Sequence, residues 1–355
     1  MKSSAIAIGM LALTSGAASA QTNVALYGIV DLGVKYEKGL STAGGTWAVA
    51  SGQQFGSRIG FRGTEDLGGG LAADFLLENG FNADDGSLNN GGRLWGRQAW
   101  AGLRGGFGSL YLGRQYSATY NALNAIDPFG LNQAGDAQRV YGYGLGKVDP
   151  ISRSDNTVTY ATPILNGFKA ALGHKFGETA GAFNAGSSKF IGLSYVGGPL
   201  NIQASYQNTD GVALGAATTQ LGSIIVPAGL GAATVTVKNA FMGGMYDFGL
   251  IKAHLGYGDT KLGAVGTTTI RNYLVGASAP VAGGTAIASW NRTNLRDIAA
   301  GASNQYAFGY SYPLSKRTNL YTSASYTRND GGVRLSAASN GDSAREFQAG
   351  IRHVF

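Results

Sequence analysis

Apolar and polar residues alternate along this chain with a period of two. Between Arg345 and Phe355, Phe347, Ala349, Ile351 and Phe355 take odd positions, and Glu346, Gln348, Gly350 and Arg352 the even ones. Such a period predicts a strand with one apolar and one polar face. The pattern recurs at Leu71–Phe81, Phe168–Phe176, Leu200–Gln207, Ile251–Tyr257 and Gln305–Tyr312. Each run is about ten residues long, the length a tilted strand needs to cross a bilayer. Sixteen runs are predicted, beginning near Asn23, Gln54, Leu71, Arg93, Ser109, Asn156, Gly167, Lys189, Leu200, Thr234, Leu250, Thr268, Thr285, Ser303, Thr318 and Arg345.

The connections between runs alternate strictly between short and long. Short ones include Asp66–Gly70, Gly105–Gly108 and Pro313–Arg317, and long ones include Lys38–Gly52, Gly211–Ala233 and Asn329–Ala344. Short turns on one rim and long loops on the other suit a membrane barrel. All seven prolines fall in predicted connections, as a residue that cannot donate to a sheet ladder should. The predicted fold is all-β: a 16-stranded antiparallel transmembrane β-barrel. An even strand number puts both chain termini on the short-turn side.

One connection, residues 116–155, is too long for a structureless loop. It carries Tyr120, Leu123, Ile126, Phe129, Leu131, Tyr141 and Tyr143, which need a surface to pack on. A sixteen-stranded barrel leaves a lumen wide enough to hold them. The expectation is an inward-folded third loop that narrows the channel.

Composition agrees with this reading. Glycine is abundant at 58 residues, with 18 Tyr and 15 Phe, and the mean hydropathy is near zero because the two residue classes are interleaved. Residues 1–20 read as a secretory signal: Lys2, an apolar run from Ala5 to Leu13, and Ala18-Ser19-Ala20 as the cleavage site. The barrel domain is then 21–355, with formal charge +6 once Lys2 of the +7 chain is removed. Cysteine is absent, which excludes disulfides and thiolate metal or redox chemistry. No cofactor, metal or nucleic-acid partner is expected.

The chemistry expected is electrostatic. Arg58 and Arg62 lie opposite in phase to Ile59 and Phe61 and should point inward. Arg97, read as mid-strand, should do the same, because a lipid-facing arginine costs about 2–4 kcal/mol. Arg114 enters the long loop and Arg153 leaves it, while Asp127 and Asp136 lie on it. Arginines on the wall facing loop carboxylates would set a transverse field that selects ions. Against this stands the plainer reading that the arginines only solvate the lumen or pair locally. His174, His254 and His353 read as packing or interfacial residues, and Trp95 and Trp100 as part of an interfacial aromatic girdle. Gly142–Lys147 lacks the strand and helix of a phosphate loop and is rejected.

Val24–Asp31, Ser57–Gly70, Gly108–Arg114, Ser315–Thr318 and Gly350–Phe355 together resemble a general diffusion porin of the Gram-negative outer membrane, of the β-proteobacterial kind. The resemblance spans essentially residues 21–355. It implies a homotrimer of barrels in the outer membrane, embedded in lipid and lipopolysaccharide, with passive diffusion of small hydrophilic solutes and inorganic ions. It maps a basic cluster onto Arg58, Arg97, Arg114 and Arg153. It makes Phe355 the aromatic residue presented to the barrel-assembly machinery through the C-terminal strand. Asp127-Pro128-Phe129-Gly130 stands where the family often has Pro-Glu-Phe-Gly, so which carboxylate faces the arginines is open. Several wall arginines against few loop carboxylates predict an anion preference. The alternatives are an outer-membrane β-barrel hydrolase, for which no local Ser/His arrangement speaks, and a soluble exported β-protein, which would leave the apolar faces without a partner.

Overall fold

The structure is a computed structural model. It describes residues 23–141, 152–213, 220–221, 224–225, 234–264, 266–296, 301–331, 333 and 335–355. The predicted signal, residues 1–20, lies outside the described residues, as do Tyr143, Gly142–Lys147 and most of Gly211–Ala233.

Strands β1 (Asn23–Lys38), β2 (Gly45–Ser51), β3 (Arg58–Gly68), β4 (Leu71–Gly80), β5 (Gln98–Gly105) and β6 (Gly108–Tyr116) lead to helix α1 (Ala118–Ile126) and a short 3-10 turn, Ala137–Arg139. Then come β7 (Arg153–Ala161), β8 (Phe168–Lys175), β9 (Ser188–Gly197) and β10 (Leu200–Ala213), followed by a small hairpin, β11 (Gln220–Leu221) and β12 (Ile224–Ile225). The wall resumes with β13 (Thr234–Asp247), β14 (Lys252–Ala264), β15 (Gly266–Val281), β16 (Gly284–Arg296), β17 (Gly301–Pro313), β18 (Thr318–Asn329) and β19 (Ser343–Val354).

Every neighbour in the wall is antiparallel, and β1 pairs with β19 from Ile29↔Val354 to Lys38↔Arg345, which closes the sheet. On its other side β1 pairs with β3 along its first half and with β2 along its second. Strands β2 and β3 are therefore two halves of one wall strand, and the closed barrel has sixteen. Phe355 seals the seam: its N–H donates to the Gly28 carbonyl and its carbonyl accepts from Gly28 N–H, at 3.1 and 3.0 Å. A side chain at residue 28 would collide with the Phe355 ring, its Cβ only 2.3 Å from Cζ.

Burial is inverted relative to a water-soluble protein. Phe308 is 57% exposed and Leu255 60%, whereas Gln305, Gln348 and Asn239 are about 1% exposed. Alternating residues of one strand thus present hydrocarbon on one face and hydrogen-bonding groups on the other, as a barrel in lipid requires.

Four expectations need correction. Strand β2 takes up about half of the Lys38–Gly52 stretch expected to be a loop, because Thr46, Ala48 and Ala50 give too little contrast against Trp47 and Val49. Short and long connections do not alternate strictly: β14 runs to Ala264 and β15 starts at Gly266, because those strands continue as a ladder well past the ~10 residues a crossing needs. Pro280 and Pro313 lie in the last turns of β15 and β17, not between strands. A strand end next to a turn tolerates the missing donor. Arg97 is not mid-strand: β5 begins one residue later, after a turn closed by Gly96 N–H on the Arg93 carbonyl at 3.2 Å.

The segment after β6 is built to pack. Ser117 caps α1 by accepting from Tyr120 N–H at 3.0 Å, and Pro128 ends the helix by forcing Asp127 into an extended conformation. One helix face carries Ala122, Leu123 and Ile126, which form a buried cluster with Leu131, Tyr141, Phe241 and Leu274. Phe129 packs on Ile287 and Ala307. Phe241 alternates with Met242, which is 62% exposed, so the segment lies on the polar face of the wall. Hydrogen bonds continue the contact: His254 Nδ1 donates to the Ile126 carbonyl at 2.7 Å, Asn291 Nδ2 to the Gly135 carbonyl at 3.4 Å and Ser323 Oγ accepts from Ala134 N–H at 3.2 Å. His254 is thus a packing histidine. His353 Nδ1 meets Thr318 Oγ1 at 2.9 Å, and His174 stacks on Phe183.

Candidate functional site

Three arginines converge where β3, β5 and β7 begin. Arg58, Arg97 and Arg153 line a cavity of about 380 Å³ together with Tyr116, Tyr120 and Asn132. The alternation of β3 aims Arg58 to the polar face. The turn at Gly96 delivers Arg97 beside it. Arg153 opens β7 opposite Tyr116 in the ladder.

One carboxylate is embedded among them. Glu78 of β4 takes Arg97 Nε at 2.8 Å, and Arg58 Nη1 lies 3.7 Å away. Tyr27 donates its hydroxyl to the second Glu78 oxygen at 2.9 Å. The Tyr116 hydroxyl accepts from Arg97 Nη2 at 2.7 Å and from Arg153 Nη2 at 3.0 Å. Its ring stacks on Tyr120 at 4.2 Å, and the Arg153 guanidinium lies 4.6 Å from the Tyr116 ring centre. Stacking of a cation on an aromatic face holds the guanidinium without neutralising it. The cluster is therefore three fixed positive charges braced by one negative one.

The other anticipated residues are placed elsewhere. Arg62 is on the same sheet face as Arg58 but four residues further along, beside Tyr27, at a second cavity of about 520 Å³ that Asp74 and Trp100 also line. Arg114 is buried behind the cluster, where it donates to the Gly96 carbonyl at 2.8 Å and to Asp155 at 2.6 Å. Asp127 is buried inside the loop and accepts from Phe129, Leu131 and Ala137 N–H at 3.2, 2.9 and 3.1 Å. Asp136 is buried as well, caps the 3-10 turn through Gln138 N–H at 2.7 Å and lies 3.8 Å from Arg139 Nε. Neither loop carboxylate is among the residues that line the arginine cavity. Trp100 donates to Gln98 at 3.2 Å and stacks on Tyr111 on the polar face, so it is not a girdle residue. The residues out of phase with it, Ala101 and Leu103, take the lipid side. Trp95 packs edge-on against Phe61.

Glu78, Tyr116 and Tyr120 were not anticipated. Glu78 sits on the polar phase of β4, between Leu77 and Asn79, and that phase was the available signal. Nothing in the sequence pairs it with Arg58 on β3, 20 positions before it, and Arg97 in the turn before β5, 19 positions after it.

Burial, and then the nearby Asp136 charge, push the Asp127 carboxyl up to about 7, against the pull of the three N–H donors. A raised folded-state value means that the fold holds the proton more tightly than the unfolded chain. The stabilisation is complete below about pH 4 and is lost as pH rises toward 7. Asp127→Asn should remove this slope. Unfolding midpoints of parent and variant should diverge in the parent's favour between pH 7 and pH 4.5, and parallel curves would refute the assignment.

The family model described as Gram-negative porin matches residues 5–332. This chain belongs to the Gram-negative porins. An outer membrane porin protein of Bordetella pertussis is 35% identical over 342 residues, covering 82% of this chain and 84% of its own length. Outer membrane porin protein 32 of Delftia acidovorans is 34% identical, covering 80% of this chain and 77% of its own length. Among solved structures, an anion-selective porin from Comamonas acidovorans superposes with a TM-score of 0.80 at 29% identity, covering 94% of this chain and all of its own. The porin is thus an outer-membrane channel for passive diffusion, not a hydrolase.

Proposed function

We propose that this porin prefers anions, and that residues 116–155 fold into the lumen to form its constriction. The observation that carries this is the cavity at Arg58, Arg97 and Arg153, where three guanidinium groups stand against the single carboxylate of Glu78. In a closed barrel the face opposite the exposed apolar side chains is the water side. The loop packs on that face against β9, β10 and β13 to β17, which leaves the arginine wall of β3, β5 and β7 across the remaining gap. Tyr120, Asn121, Asn124 and Asn132 of the loop line the opposite side of the cavity. Amides and phenols supply hydrogen bonds to a passing solute without charge, so the field in the gap is set by the wall.

Arg62 then belongs to the vestibule on the short-turn side, and Arg114 braces the cluster from behind. Asp127 and Asp136 shape the loop. The reading extends to a homotrimer, to surrounding outer-membrane lipid and lipopolysaccharide, to export through residues 1–20, and to recognition of the strand ending at Phe355 by the barrel-assembly machinery.

Reconstitution into a planar bilayer under a potassium chloride gradient tests the preference. The reversal potential should carry the sign of chloride permeation. A potential of the opposite sign would overturn the proposal.

A further inference from the structure

The second wall strand is interrupted directly beside the arginine cluster. Strand β1 pairs with β3 up to Ile29↔Arg58 and with β2 from Leu32↔Ser51. Val30 and Asp31 of β1 therefore face six residues, 52–57, where two would complete the ladder. The extra chain is an enlarged bulge, the kind of feature that re-aims neighbouring side chains.

Asp31 organises it. The side chain is fully buried. One carboxylate oxygen accepts Gln54 N–H at 2.9 Å and Phe55 N–H at 2.6 Å, and the other accepts the Tyr321 hydroxyl at 2.5 Å. The Asp31 carbonyl takes Gly52 N–H at 2.8 Å and the Ser57 hydroxyl at 3.1 Å, which brackets the bulge at both ends. From this anchor the bulge runs across β19 toward β18. Asn319 Nδ2 donates to Gln54 Oε1 at 2.7 Å, and Phe55 lies under the Arg352 guanidinium at 4.8 Å. Gly33 leaves the room this path needs: a Cβ there would stand 2.6 Å from Gln53 Nε2.

The bulge touches both halves of the constriction. The Gly56 carbonyl accepts Arg58 Nε at 2.9 Å. Gly56 also abuts Arg97, since a Cβ on it would lie 2.9 Å from Nη1. On the loop side, the Gln53 carbonyl accepts Gln133 N–H at 2.6 Å. Gln133 has φ of +58°, a left-handed conformation that a non-glycine residue needs outside help to keep.

We propose that residues 52–57 form a second inward arm of the constriction, and that Asp31 is the positioning residue that fixes Arg58 and Arg97 through it. The proposal rests on the arginine cluster being the selective element. A carboxylate thereby supports anion preference from behind the wall. The sign of its effect follows: deleting a negative charge should by itself favour anions, whereas releasing the arm should weaken the preference by letting Arg58 and Arg97 relax away from the gap.

The test is the chloride-to-potassium permeability ratio of Asp31→Ala, Asp31→Asn and Arg58→Gln channels, measured beside the parent. Asp31→Ala should lower the ratio severalfold. Asp31→Asn should restore most of it, because the amide oxygen can still accept both N–H groups while the amide nitrogen donates to Tyr321. A ratio that is unchanged or raised in Asp31→Ala, with Arg58→Gln lowered, refutes the positioning role and leaves the cluster intact as the filter. A ratio unchanged in Arg58→Gln as well refutes the filter itself. Should Asp31→Ala fail to assemble, Gly56→Ala reads the same arm: its methyl displaces the Arg97 tip, so the ratio should fall, and an unaltered ratio counts against the proposal.

Discussion

Replacing Arg58, Arg97 and Arg153 together with glutamine should turn this porin from anion-preferring to cation-preferring. An ion about 8 Å from a unit charge in water feels ~0.5 kcal/mol. Three such charges act with opposite sign on chloride and potassium, and salt at ~0.1 M halves their reach. The net difference is about 1.4 kcal/mol, or roughly tenfold in the permeability ratio. Inversion follows because Glu78 stays behind: with its partners Arg97 and Arg58 gone, its carboxylate becomes the charge nearest the gap. Glutamine is shorter than arginine but remains polar and uncharged, so the cavity widens and conductance should rise, by less than the selectivity shifts. The reversal potential of the triple variant in a salt gradient checks this. A potential equal to the parent's would mean that these side chains do not face the permeating ions.

Arg139→Ala should detach the loop from the far wall. Arg139 reaches Glu346 of β19 with both terminal nitrogens, Nη2 to Oε1 at 3.1 Å. Glu346 is buried and has Gln348 Nε2 as its other donor. Removing one member of a buried pair costs ~3–5 kcal/mol, mainly because the remaining charge stays desolvated. The Arg139 side chain is 25% exposed, which lowers the cost to about 2 kcal/mol. Packing of Ile126 and Phe129 keeps the first half of the loop in place, so the part near the 3-10 turn should fluctuate. Single-channel records should show excess open-channel noise and brief conductance steps. Arg139→Met with Glu346→Met should be quieter than Arg139→Ala alone, because no unpaired charge remains. Equal noise in parent and Arg139→Ala would sink the idea that this pair latches the loop.

How far the sequence could be read is clearest in particular residues. Leu255 and Phe308 could be assigned to lipid, and Gln305 and Gln348 to the polar side, because a bilayer penalises polar groups so heavily that every crossing strand must repeat the same alternation. Strand starts at Asn23, Leu71, Leu200, Thr234 and Thr318 were legible for that reason. Strand β2 was not, because alanine and threonine satisfy either face. Arg97 was assigned to the water side on the premise that it lay within a strand. Arg97 meets Glu78 of β4, and a turn rather than a strand delivers it.

The site itself divides in the same way. Arg58 follows from its phase within β3, and Arg153 from its place at the start of β7. Their meeting with Arg97 does not, since it depends on which residues of three strands share a level, and that is set by ladder register. The loop carboxylates show the limit most plainly. Asp127 and Asp136 have the right charge at the right place in the chain, yet backbone N–H groups and Arg139 claim them inside the loop. The acid that meets the arginines is Glu78, an unremarked polar position in a strand.

The amino-acid order alone determined that this chain forms a sixteen-stranded cylinder with hydrocarbon outside, because period-two patterning is local and a lipid surround enforces it strand by strand. Tertiary structure alone decided which charges meet at the arginine cavity and what holds them there. Register between strands, the break at residues 52–57 and the packing of the long loop each bring together groups from distant parts of the chain, through contacts that no local pattern encodes.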